Sequence, residues 1–332
     1  MSSAITPHAA SRVRPALYGL AVCDALGAPL EFGPRRKKSQ YTTEMEHNYN
    51  FNLPPGHFTD DTSMALCLAQ SLIANNGKHN PLDQAARYVR WLDEGYMSSV
   101  PGRAFDVGIQ TTEALQYYRE KSELSTLEVV KKKFDQERRC GNGSLMRVLP
   151  CALVAKTEED AAELARRSSE VTHPHKRCVD CCSLYCALVF RALQGTKREE
   201  LAKHICEWLS GSSSDGGELD AELKKRLARY QSLQTWEETS RDAIKSSGYV
   251  LDSLEAALWA LFTTSSFEEG AIEVVNLGDD ADTVGAIYGG LAGAFYGAPA
   301  SIPQGWLSAM QELSLVEEAV NGLVASEQDA TA

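Results

Sequence analysis

The chain is predicted to fold as an all-α protein, and three observations predict it. Apolar residues recur at roughly 3.6-residue spacing in seven separate segments. Strand-like alternation is scarce, and β-branched clusters are short. Two segments also carry small residues four apart, the pattern of helices that cross closely.

In chain order the predicted helices cover residues 13–27, 62–74, 82–92, 108–119, 158–169, 178–192 and 251–262. Breakers fall between them: Pro54-Pro55-Gly56, Pro101-Gly102, Gly141-Asn142-Gly143 and Pro299. Residues 210–217, rich in Ser and Gly, read as a flexible surface loop inserted in a single domain spanning 13–324. Residues 1–12 are expected to be disordered and 325–332 to be a frayed tail. Gly285, Gly289, Gly293 and Gly297 form a smooth stripe on a further helix, and Gly19, Cys23 and Gly27 form a matching one near the start. Each glycine inside a helix costs about 0.5–1 kcal/mol relative to alanine. Close packing must compensate, so these two helices are expected to cross and bring their attached loops together.

Composition narrows the function. The formal charge is −12, a poor match for nonspecific nucleic-acid binding, which depends on Lys and Arg. Arg35-Arg36-Lys37-Lys38 and Lys131-Lys132-Lys133 are short enough to be solvated. No apolar run reaches the ~18–20 residues of a membrane span. Nine cysteines, mostly in apolar sequence, read as reduced buried thiols and place the protein in the cytoplasm. Residues 1–14 lack the apolar core of a secretory signal. They also lack acid and carry Arg12 and Arg14, which keeps a mitochondrial presequence as the alternative. A monomer without a membrane or nucleic-acid partner is expected.

Two acidic clusters share one design. Phe58-Thr59-Asp60-Asp61-Thr62 and Gly278-Asp279-Asp280-Ala281-Asp282-Thr283 each place hydroxyls and carboxylates directly before an apolar helix. Helix capping accounts for one or two such residues. Several carboxylates beside buried segments repel one another and are costly to desolvate unless a cation neutralises them. Hard oxygen donors suit Mg²⁺, Mn²⁺ or Ca²⁺ rather than Zn²⁺. Within a helix Asp280 and Asp282 would diverge by about 200°, so they converge only through an irregular turn at Gly278. A metal site and double capping both remain open on these grounds. Cys178, Cys181, Cys182 and Cys186 beside His173 and His175 have the density of a zinc site, yet they lie on an apolar helix where thiols act as small hydrophobes. No G-x-S-x-G nucleophile elbow is present.

Five segments in order resemble the ADP-ribosylglycohydrolase family. They are Tyr18-Gly-Leu-Ala-Val-Cys-Asp-Ala-Leu-Gly27 continuing to Glu31, Phe58-Thr-Asp-Asp-Thr62, Gly141-Asn-Gly-Ser-Leu-Met-Arg147, Thr172-His173, and Gly278-Asp-Asp-Ala-Asp-Thr283. Cys23 stands where the family usually has Gly, which implies a packing adjustment. The resemblance implies a compact orthogonal helical bundle with a central two-metal cleft that cleaves ADP-ribose from an acceptor. It implies two divalent cations, Mg²⁺ or Mn²⁺, with Thr59, Asp60 and Asp61 on the first, Asp280 and Thr283 on the second, Asp282 bridging and Glu31 at the second ion or its water. Asp106, Gly108, Cys140, Gly141, Asn142, Gly143, Ser144 and His173 would face ADP-ribose. Two ions about 3.5–4 Å apart would hold the ribose hydroxyls and lower the pKa of a bound water, with Asp61 or Glu31 taking the proton. His173 fits a pocket residue better than a base. The acceptor is expected to be a modified arginine or serine side chain. The alternatives are a free conjugate such as O-acetyl-ADP-ribose, or a non-catalytic ADP-ribose binder. Residues 32–53 and 91–105 are the loops expected to select the acceptor.

Overall fold

The computed structural model describes residues 7–211 and 216–329. Among them lie sixteen α-helices and five short 3-10 turns, with no β-strand and two isolated antiparallel bridges, Asn48 with Leu53 and Gly141 with Tyr249. The first half comprises α1 (Pro7–Gly27), α2 (Asp60–Ala74), α3 (Pro81–Glu94), α4 (Ile109–Glu120), α5 (Leu124–Phe134), α6 (Leu149–Val154), α7 (Glu158–Glu170) and α8 (Lys176–Leu193). The second comprises α9 (Arg198–Leu209), α10 (Ala221–Leu227), α11 (Leu233–Glu237), α12 (Val250–Thr263), α13 (Phe267–Val275), α14 (Ala281–Tyr296), α15 (Gln304–Ala309) and α16 (Leu313–Asp329). All seven predicted segments are helical, to within a residue at the start of α4, where Gly108 is the N-cap.

Local chemistry sets many of the ends. Asn80, Thr157 and Ser266 each accept a bond from the backbone N–H three residues on, closing the first turns of α3, α7 and α13. Gly95 and Gly297 end α3 and α14 in the left-handed conformation, at φ 68 and 65.

The core is organised on α14, whose residues from Ala281 to Ala294 are all buried, as a helix apolar on every side must be. It crosses α1 so closely that the backbones touch. A methyl group on Gly289 would lie 2.0 Å from the Gly19 carbonyl oxygen, and one on Gly293 would lie 2.0 Å from that of Pro15. Gly285 faces the Cys23 carbonyl and Gly27 faces Ala281 in the same way. The predicted crossing is therefore present, except that Gly297 terminates α14 instead of extending the stripe.

Two helices run into the segments expected to be disordered or frayed. Helix α1 starts at Pro7, and Arg12 anchors it to the core. Its Nη1 donates to the Ala294 and Phe295 carbonyl oxygens at 2.8 and 2.6 Å, placing a cation on the negative end of α14. At the other end α16 continues to Asp329, taking in most of the expected tail. The expectations for residues 1–6, 212–215 and 330–332 fall outside the described residues. No described helix is long and apolar enough to cross a membrane.

Candidate active site

The crossing of α1 and α14 sets three chain segments side by side: the end of α1 and the turn to Glu31, the start of α2, and the start of α14. They floor a cavity of about 720 Å³. Its wall includes Glu31, Asp60, Asp280, Asp282 and Thr283 from the predicted metal set, and Asp106, Gly108, Gly141, Asn142, Gly143 and His173 from the predicted substrate set.

The start of α2 separates the two readings of its acidic turn. Thr59 is the N-cap, but its side chain makes no capping bond. The cap comes from α1: the Asp24 carboxylate accepts from Thr59 N at 3.0 Å and from Thr62 N at 3.0 Å, and from the two hydroxyls at 2.9 and 2.5 Å. Asp60 and Asp61, in the first turn, are thereby released from capping. The Thr59 hydroxyl lies 3.0 Å from Asp61 Oδ2, and the Thr283 hydroxyl lies 3.4 Å from the same oxygen. Asp24 lies inside the first family-like segment, but its role was not read from the sequence. The available signal was a charged residue within the buried stretch of an apolar helix.

The turn before α14 is built from two left-handed residues, Gly278 at φ 72 and Asp279 at φ 59. A methyl on Gly278 would strike the Gly33 carbonyl at 2.7 Å, so only glycine fits there. Phe32 N donates to the Asp279 carbonyl and Asp279 N to the Gly33 carbonyl, at 2.7 and 2.8 Å, which ties this turn to the one that carries Glu31. Asp280 becomes the N-cap of α14, and Asp282 and Thr283 fall in its first turn. Asn142 Nδ2 donates to Asp280 Oδ2 at 2.7 Å and to Ser253 at 2.9 Å. The Gly141–Gly143 loop is fixed against residues 248–250 by Asn142 N to the Gly248 carbonyl and Val250 N to the Cys140 carbonyl, at 3.1 and 3.0 Å.

Five carboxylates converge as a result, in two groups of three that share one member. One oxygen each of Asp24, Asp61 and Asp282 lies within 4.8 Å of the other two, and the same holds for Glu31, Asp106 and Asp282. Asp282 belongs to both groups. Asp106, predicted as a substrate contact, joins the acidic cluster through a left-handed backbone at φ 65. Four buried oxygens here have no hydrogen-bond partner among the described residues: Glu31 Oε2, Asp61 Oδ1, Asp106 Oδ2 and Asp282 Oδ1. Burial pushes the carboxyls of Asp60, Asp61 and Asp282 well above the usual range, and neighbouring carboxylates add to the shift. Burial also raises Asp280 and Asp106. Glu31 is raised to about 10 by burial and then by the Asp106 charge. Asp24 is raised to about 7 by burial in spite of its hydrogen bonds. Bare carboxylates in such a place are costly, and oxygen-only donors with open lone pairs fit a hard divalent cation.

Not every predicted residue reaches the cavity. Asp61 and Thr59 lie beneath its floor among the acidic side chains. Cys140 and Ser144, which flank Gly141–Gly143, are buried and do not line the cavity. The Cys140 thiol meets His175 Nδ1 at 3.1 Å, while the Ser144 and Ser169 hydroxyls pair at 2.8 Å. Phe51, Thr111 and Met146 are among the other wall residues and were not read from the sequence. Cys178, Cys181, Cys182 and Cys186 are all core residues with no exposure.

The model of a family described as ADP-ribosylglycohydrolase matches residues 6–332. An ADP-ribosylarginine hydrolase, Tri1, of Pseudomonas putida strain GB-1 is 37% identical over 308 residues, covering 91% of this chain and 75% of that protein. The ADP-ribosyl-[dinitrogen reductase] glycohydrolase of Rhodospirillum rubrum is 30% identical and is covered to 91%, as is this chain. A solved ADP-ribosylglycohydrolase-related protein complex superposes with a TM-score of 0.77 at 34% identity, over 97% of this chain and 99% of that one.

Proposed function

The chain belongs to the ADP-ribosylglycohydrolase family, and from that premise we propose that it removes ADP-ribose from modified arginine side chains in a reaction that depends on divalent cations. Hydrolysis of ADP-ribosyl linkages is the family's activity. The arginine acceptor is supported by the 37% identity to an ADP-ribosylarginine hydrolase. Dependence on cations is supported by one observation above all: four buried, unpartnered carboxylate oxygens share one cleft.

Glu31, Thr59, Asp60, Asp61, Asp280, Asp282 and Thr283 are the residues that would hold Mg²⁺ or Mn²⁺, with Asp282 common to both carboxylate groups. The bound ions would supply positive charge to anchor ribose hydroxyls and to acidify a water molecule. The protein's own groups do the rest. Glu31 lines the cavity while Asp61 lies under it, so Glu31 is the carboxylate placed to hold the water's proton. Its raised pKa falls once cations offset the neighbouring acids. Carboxylates beside the anomeric carbon stabilise the positive charge that develops as the glycosidic bond breaks. Asn142 holds Asp280 in place, and the glycine loop offers close backbone approach to the pyrophosphate. A cavity of about 720 Å³ accommodates a ligand of this size.

Release of ADP-ribose from an arginine-ADP-ribosylated peptide, measured with Mg²⁺, with Mn²⁺ and with EDTA, tests the proposal. Turnover with either metal and none in EDTA is expected. Undiminished turnover in EDTA would overturn the cation requirement. Release only from a serine-linked peptide would overturn the acceptor.

A further inference from the structure

Arg147 is fully buried and forms no ion pair among the described residues. Its guanidinium lies over the Tyr88 ring at 4.4 Å, Nη1 reaches the Met64 sulfur at 3.6 Å, and Nε has no partner. A buried cation so poorly compensated is costly. Its one strong contact is Nη2 to the Thr172 hydroxyl at 2.5 Å, and that hydroxyl lies 2.8 Å from His173 Nδ1.

The protons along this path can be assigned. A guanidinium only donates, so the Thr172 oxygen accepts from Arg147. The Thr172 hydroxyl hydrogen then has one acceptor within reach, the Nδ1 lone pair. A proton on Nδ1 would make Thr172 accept twice and leave its own hydrogen buried without a partner. The ring proton therefore belongs on Nε2. That edge of the ring faces Gly143 on the cavity wall, where a methyl on the glycine would lie 3.2 Å from Nε2, and His173 itself lines the cavity. The rest of His173 is clamped: its N–H donates to the Ser169 carbonyl at 2.7 Å, and the Ser169 hydroxyl donates to the His173 carbonyl at 2.9 Å.

We propose that Arg147 and Thr172 are positioning residues that lock His173 as its Nε2–H tautomer, making the ring a fixed donor to an oxygen acceptor of the ADP-ribosyl group. Burial, and then the Arg147 charge, hold the ring's pKa down at about 3, so it is neutral when it donates. The histidine thus serves binding, leaving proton abstraction to a carboxylate. The proposal rests on the reading of the cleft as an ADP-ribosyl site, but its first test does not.

The full chain, labelled with ¹⁵N in its histidines, is examined at pH 7 by two-bond proton–nitrogen correlation without substrate, and the His173→Gln spectrum identifies the His173 signals by subtraction. Nδ1 is expected to resonate as an unprotonated nitrogen and Nε2 as a protonated one. Thr172→Val should abolish that single pattern and raise KM for the ADP-ribosylated peptide about tenfold with kcat within about twofold, and Thr172→Ser should restore both. An Nδ1–H ring in the wild type would overturn the proposal, as would an unchanged pattern or an unchanged KM in Thr172→Val. If Thr172→Val does not fold, the wild-type spectrum alone decides. Failure to hydrolyse the arginine-linked peptide would sink the acceptor reading and leave the tautomer result intact.

Discussion

The Asp24 carboxylate accepts hydrogen bonds from both the backbone N–H and the hydroxyl of Thr62, so helix α2 is capped by a residue of helix α1. This contact frees Asp60 and Asp61 for the cleft and ties the floor of the site to the core. Asp24→Ala removes the acceptor for Thr59 N and Thr62 N together. It should cost about 2–3 kcal/mol in urea denaturation, whereas Asp24→Asn, which keeps one acceptor oxygen, should cost less. Equal losses in the two variants would show that the cap is not what Asp24 supplies.

The carboxylate cluster predicts an unusual dependence on pH. These acids bind protons more tightly folded than unfolded, so each favours the folded state at low pH, and its contribution is lost as pH rises above the unfolded carboxyl value of ~4. For Asp24 the loss runs until about pH 7, and for Glu31 it extends further. In EDTA the protein should therefore unfold more readily at pH 8 than at pH 5.5, with Mg²⁺ or Mn²⁺ restoring the difference at pH 8. A metal-free protein that is more stable at pH 8 would contradict the shifts.

The α1–α14 crossing leaves no room for a side chain. Gly289→Ala would drive a methyl into the Gly19 carbonyl, and a loss of about 3 kcal/mol or more is expected. Gly305→Ala in α15 meets open space and should be neutral or stabilising by up to about 1 kcal/mol. Thermal unfolding of the pair checks the contrast, and similar melting temperatures would refute it.

The crossing was legible because glycines four apart share one face of a helix, and that spacing survives any tertiary arrangement. The ends were less so. Gly297 has the right spacing but caps α14, and Arg12 is held by the carbonyls of Ala192, Ala294 and Phe295, far away in the chain. Helix α9 carries its apolar face inside heavily charged sequence, while α10 and α11 span 7 and 5 residues, too short for a periodic signal. In the site, Asp60, Asp61, Asp280 and Asp282 were visible as carboxylates crowded before apolar helices. Capping could not be separated from metal binding until Asp24 was seen to do the capping. Cys140 and Ser144 came with Gly141–Gly143 from the resemblance, and a shared motif carries no information about which side of a turn each residue faces.

Asp282 is the one carboxylate shared by both groups of acids, so the account turns on it. Calorimetric titration of Mn²⁺ into the EDTA-stripped protein at pH 7.5, wild type against Asp282→Asn, tests it most directly. The account predicts two bound ions in the wild type and loss of both at the same concentrations in the variant, with the fold retained by circular dichroism. Undiminished binding of two ions by Asp282→Asn, or no binding by the wild type, would contradict it.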